Sequence, residues 1–147
     1  MAPRAPFIGN LREAAATVPL AMQKIALLDA GNHGSTRAGD QRRGALKKAT
    51  DCNQRSRWVE AKENACSDVI RIVVDACLCE RVGVWRGGGE GCQFESEEEY
   101  ERALQRHHEL MVAAMRCKQC VSSSVAAALS RAVEDVASIH AKIEAKL

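Results

Sequence analysis

The sequence predicts an all-α protein: an antiparallel helical hairpin, preceded by an amphipathic helix and continued by a long C-terminal helix, extended rather than globular. Three observations predict it. Alanine supplies 24 of the 147 residues, while Phe, Trp and Tyr together supply five. That composition favours helix and withholds the aromatic residues an all-β domain uses. Apolar residues recur with the 3.6-residue period along Trp58–Cys77 and again along Tyr100–Ile143. Only three prolines interrupt the chain. The mass of 16.0 kDa is one domain's worth. The expected division is 1–44 as N-terminal helix and basic connector, 45–125 as cysteine-containing hairpin, and 126–147 as C-terminal extension.

The first helix is expected to start near Asn10, with Glu13 completing a capping box, and to end at Gly31. Leu11, Ala14, Ala15 and Val18 share a face that Met22, Ile25 and Leu28 continue. Pro19 either kinks this helix or opens a second one. Residues 31–44 read as a polar, Gly-rich connector. A second helix is expected over Ala45–Val82. Trp58, Val59, Ala65, Cys66, Val69, Ile70, Val73 and Cys77 line about half its circumference. Gly83, Gly87, Gly88, Gly89 and Gly91 mark a turn. The run fits neither phosphate-binding glycine pattern: Glu90-Gly91-Cys92 follows it where one needs Gly-Lys-Ser/Thr, and no strand precedes it as the other needs. Ser96 with Glu99 is a capping box. Beyond it, one apolar stripe keeps phase through His107, Leu110, Cys117, Leu129, Val136 and Ile143. Unbroken, that helix has about fifty residues and a length of roughly 75 Å. Leu129, Val136, Ile139 and Ile143 then pack on another chain at coiled-coil spacing. The alternative is a break at Ser122–Ser124 and a compact intramolecular bundle.

Charge is uneven. Residues 1–57 carry ten Lys/Arg against four Asp/Glu, and residues 58–147 carry eleven against fifteen. Arg37, Arg42, Arg43, Lys47 and Lys48 are candidates for contact with phosphate on RNA or anionic lipid. A solvated helix start is the plainer reading. No run of about 18 uncharged apolar residues exists, so no membrane span is expected. The N-terminus lacks the apolar core of a secretory signal.

Seven cysteines remain to be placed: Cys52, Cys66, Cys77, Cys79, Cys92, Cys117 and Cys120. In an antiparallel hairpin, facing residues have a nearly constant sum of positions. Two registers satisfy this, Cys79–Cys92 with Cys52–Cys120, or Cys77–Cys92 with Cys52–Cys117. Each bridge stabilises by about 2–4 kcal/mol. A zinc site from Cys77-x-Cys79 and Cys117-x2-Cys120 fits poorly, since both pairs fall inside helical patterns. Packed, reduced thiols are the remaining reading.

The segment Leu78-Cys79-Glu80-Arg81-Val82, a loop, Cys92 and the acidic run Glu95–Glu99 together resemble a known family. It is the coiled-coil-helix-coiled-coil-helix proteins of the mitochondrial intermembrane space, and in particular the hinge subunit of the cytochrome bc1 complex. The usual nine-residue spacing within each arm is absent. The resemblance implies import without a cleaved presequence, oxidised cysteines and a structural role on the intermembrane-space side of the inner membrane.

No catalytic constellation is evident. His107-His108-Glu109 lacks the zinc-protease spacing, and His33 and His140 stand alone. The expectation is therefore a non-enzymatic accessory subunit of a respiratory-chain or ATP-synthase complex, without metal or cofactor. Its partners are neighbouring subunits, with Trp58 and Trp85 as interface anchors. The alternatives are an RNA-contacting accessory protein of the mitochondrial ribosome and a small zinc- or redox-active helical domain.

Overall fold

The computed structural model describes residues 6–31 and 41–147, and the backbone alone of residues 41–43. Four helices follow one another: α1 (Pro6–Ala30), α2 (Gln41–Ile72), α3 (Glu97–Gln119) and α4 (Ser123–Ala145). A π-helical segment, Val73–Val82, continues α2 without a break. No strand occurs among the described residues. The all-α class therefore holds.

Helix α1 begins at Pro6, ahead of the Asn10 start the sequence suggested. Proline suits a first helical position, where its missing N–H costs nothing. Pro19 lies inside the helix, which runs on to Ala30. Leu11, Ala15, Val18, Ala21, Met22 and Ile25 are buried.

The long C-terminal helix is divided. Helix α3 stops at Gln119 and α4 starts at Ser123. Weak helix formers allow the break, and a residue far away in sequence secures it. The buried Lys62 ammonium on α2 donates to the carbonyls of Lys118, at 3.1 Å, and Cys120, at 2.8 Å. A cation there also complements the negative end of α3. Folded at this point, α4 packs back on α3, α1 packs on α2 and α4, and α2 packs on α3. The result is a closed four-helix bundle. Leu129, Val136 and Ile143, expected to meet another chain, are buried in this chain's own interior.

The main core runs along the bundle axis through Leu11, Val18, Val69, Val73, Leu110, Leu129 and Val136. Burial of each such side chain contributes about 1.5–3 kcal/mol. A second cluster closes one end with Val82, Phe94, Ala103 and Ile143, against which Trp85, Tyr100 and Ile139 pack. Tyr100 stacks with Trp85 at 5.8 Å and donates its hydroxyl to the Gly83 carbonyl at 3.1 Å. Gly83 ends the π segment with φ of 62°, a left-handed conformation that favours glycine.

Ser96 caps α3, but the return bond of the expected box goes to the N–H of Glu95, one residue before the cap. Ser96 Oγ accepts from the Glu99 N–H at 3.2 Å, and Glu99 Oε2 accepts from the Glu95 N–H at 2.7 Å. Ser96→Ala is expected to lower unfolding stability by about 1 kcal/mol, read as a reduced urea midpoint at unchanged slope.

A candidate metal centre

Three buried ligands meet between three different elements. Cys77 comes from the π segment, His107 from α3 and His140 from α4. One ligand atom of each lies within 4.8 Å of the other two. Their exposures are 0%, 0% and 2%. The fourth element covers them: Phe7 of α1 meets the His140 ring edge-on at 5.2 Å. The Arg81 guanidinium lies over the Phe7 ring, 5.6 Å from its centroid.

The local hydrogen bonds orient the imidazoles. His107 Nδ1 lies 2.6 Å from the Ala103 carbonyl, one turn back on α3. A carbonyl only accepts, so this nitrogen carries the proton. His107 Nε2 is then a lone pair, and it lies 2.8 Å from His140 Nε2, which donates to it.

Burial sets the charge states. It lowers the His140 pKa to about 4, helped by the neighbouring His107 and by Arg81. Burial also lowers the pKa of His107, against the opposing pull of the Ala103 carbonyl. It pushes the Cys77 thiol up to about 12. At neutral pH the metal-free cluster is therefore two neutral imidazoles and one thiol.

Such a donor set fits a first-row metal. Neutral imidazole and thiolate are ligands for nickel, zinc and copper. The Ala103 carbonyl gives His107 the second contact that ligating histidines usually have, fixing tautomer and ring orientation. The π-helical turn matters too, since widened turns of this kind often occur at functional sites.

The residues singled out from sequence separate here. All seven cysteines are free thiols, so neither hairpin register is bridged. Cys52 and Cys79 are exposed, Cys92 and Cys120 are half-buried, and Cys66, Cys77 and Cys117 are buried. The four thiols of the zinc reading are not gathered together among the described residues. Trp58 is half-buried beside Leu27 and Leu28 of α1, and Trp85 packs on Tyr100. Arg37 lies outside the described residues, as do the side chains of Arg42 and Arg43, while Lys47 and Lys48 are exposed on α2. His107 and His108 part company, His107 inward and His108 to solvent. The metal cluster itself was missed. It was findable: His107 and His140 lie equally far either side of the boundary between Ser123 and Ser124. A break there makes them partners.

Comparison with known proteins identifies a family. The sequence model of the family described as nickel-containing superoxide dismutase matches residues 11–144. No curated protein and no solved structure matches the chain. The family match overturns the resemblance to intermembrane-space hairpin proteins. The segment that carried it, Leu78–Val82, is the end of a π-helical turn, and its Cys79 faces solvent with a free thiol. With that resemblance go the accessory-subunit role, the non-enzymatic reading, the neighbouring respiratory or ribosomal subunits as partners, and the mitochondrial intermembrane-space location. No described helix is long and apolar enough to cross a membrane.

Proposed function

Because the chain belongs to the nickel-containing superoxide dismutase family, we propose that it disproportionates superoxide at a redox-active metal held by Cys77, His107 and His140. The observation that carries this reading is the meeting of three buried ligand atoms within 4.8 Å. The first 32 residues contain no histidine or cysteine, so α1 has no imidazole or thiolate to offer a metal. A redox metal held by these three residues would supply one-electron chemistry, by which one superoxide is oxidised to dioxygen and a second, with two protons, is reduced to hydrogen peroxide.

The chain's own residues have distinct parts. Cys77 supplies the soft, anionic donor once its proton is lost. His107 is held for ligation by the Ala103 carbonyl. Phe7 packs on His140, and Arg81, over the Phe7 ring, places a positive charge near the cluster that also lowers the His140 pKa. Positive charge at the approach to a site raises the encounter rate of small anions.

A second reading has one observation in its favour. The 2.8 Å contact between His107 Nε2 and His140 Nε2 is a complete hydrogen bond without any metal, as in a purely structural core pair. Metal analysis and superoxide consumption, measured together on the full chain after nickel loading, separate the two. Expected are one nickel per chain and rapid superoxide loss, with superoxide loss abolished and nickel binding weakened in Cys77→Ser and His107→Gln proteins that keep their helical circular dichroism. Nickel uptake without superoxide loss overturns the activity. Failure to take up nickel, copper or zinc overturns the metal centre and leaves the structural pair.

A further inference from the structure

A second group of sulfur and nitrogen lies apart from the metal ligands, where α2 meets the end of α3. Cys66 and Cys117 are both 0% exposed. Lys118 Nζ donates to Ser67 Oγ at 3.0 Å, which brings residues 66–67 of α2 against residues 117–118 of α3. Lys62, one turn before Cys66 on α2, is 3% exposed. Its ammonium donates to the Lys118 and Cys120 carbonyls. Among the described residues no carboxylate pairs with it, although a buried ammonium strongly favours an anionic partner. A thiolate is the anion this site can generate.

We propose that Lys62, Cys66 and Cys117 form a peroxide-oxidisable dithiol that closes into a disulfide between α2 and α3. Cys117 is the thiol that ionises. Hydrogen bonding from Cys66 and the charge of Lys62 both favour its thiolate, against the cost of burial. The thiolate, not the thiol, is the nucleophile. The same contact holds the Cys66 proton in place, raising its pKa, so Cys66 is the thiol that resolves.

The chemistry balances in two steps. The Cys117 thiolate attacks one oxygen of hydrogen peroxide, the O–O bond breaks, and hydroxide leaves a sulfenic acid on Cys117. Cys66 sulfur then attacks the Cys117 sulfur. The S–O bond breaks, a disulfide forms, and water departs with the Cys66 proton. Two thiols have lost two electrons and one peroxide has gained them. Cys66 and Cys117 are both fully buried, so peroxide is expected to reach them by opening of the neighbouring non-helical break at residues 120–122, where Val121 is 40% exposed and Cys120 half-buried. In the resting thiol form, Cys117 donates instead to the Val125 carbonyl at 3.6 Å, across that break.

The oxidant is a peroxide, and the reaction proposed above produces one. The dithiol does not rest on that reading, and its test does not either. The full chain, free of metal, is treated with reagent hydrogen peroxide, its remaining thiols are alkylated, and its peptides are mapped by mass. Expected is a Cys66–Cys117 linked peptide, formed within one chain, before the exposed Cys52 and Cys79 are consumed. Cys66→Ser is expected to abolish the link and leave Cys117 as a sulfenic acid that dimedone traps. Lys62→Met is expected to slow the reaction by roughly tenfold or more, as loss of a stabilising cation does for reactive thiols. Cys117 staying reduced while Cys52 and Cys79 oxidise overturns the proposal. So does a Cys117–Cys120 link, which makes Cys120 the partner. Should either variant fail to fold, the mapping of the unaltered protein decides alone.

Discussion

Lowering the pH from 7 to 4 is expected to remove about 3 kcal/mol of stability from the metal-free protein through His140 alone. The group's folded pKa is about 4, against 6.5 for an ordinary histidine. Each unit of difference is worth 1.36 kcal/mol. The sign follows from proton uptake. Between about pH 6.5 and pH 4 the unfolded chain binds a proton on this ring and the folded chain does not. Acid therefore favours the unfolded state across that window, and stability levels off for this group below pH 4. His107 acts in the same direction, since burial lowers its pKa as well. The measurement is the urea midpoint of metal-free protein at pH values from 7 to 4. The expected comparison is a His140→Gln protein, which is less stable at pH 7 but loses much less between pH 6.5 and 4. A parallel loss in both proteins would mean that the imidazole titrates in the folded state as freely as in water.

How much of this site the sequence displayed depends on which residue is asked. The stripe through His107 was legible, because α3 is amphipathic and one face of it reads as core from periodicity alone. The Ser96 N-cap was legible for the same reason: its hydrogen bond from the Glu99 N–H is local, three residues apart. The partnership of His107 with His140 was not, because it depends on where the C-terminal helix breaks. Three serines marked the place, but helix propensity is a weak determinant beside tertiary contacts. What secures the break is Lys62, more than fifty residues earlier, reaching two carbonyls at the end of α3. No local pattern reveals such a contact. Cys77 was hidden differently. It read as one rung of a disulfide ladder because regular α-helical geometry was assumed, whereas the chain widens to a π-helix at Val73. With an unbroken C-terminal helix, apolar residues such as Leu129 and Val136 had no partner within the chain, and a second protein had to be supplied. The break removes that need and turns the same residues into core.

Metal affinity is expected to rise about tenfold for each unit of pH between 7 and 9. The argument is a proton count. In the metal-free cluster both imidazoles are neutral above about pH 6.5, so they bring lone pairs without losing a proton overall. Movement of the proton from one nitrogen of His140 to the other changes the tautomer and not the charge. The Cys77 thiol is different, because burial raises its pKa to about 12. It is fully protonated at every pH between 7 and 9, and it must be a thiolate to bind a metal. One proton is therefore released per metal bound, and the apparent association constant scales inversely with proton concentration. Cobalt(II) is a suitable probe, because its thiolate charge-transfer absorption reports the Cys77–metal bond directly and needs no catalysis. Titrations against a competing chelator, corrected for the chelator's own protonation, are expected to give a slope of about one in log affinity against pH. Cys77→Ser is expected to lose the charge-transfer band. His107→Gln is expected to weaken binding while keeping the slope, since the proton released belongs to the thiol. A slope of zero in the unaltered protein would place the thiol outside the metal's coordination and leave the two histidines to act without it.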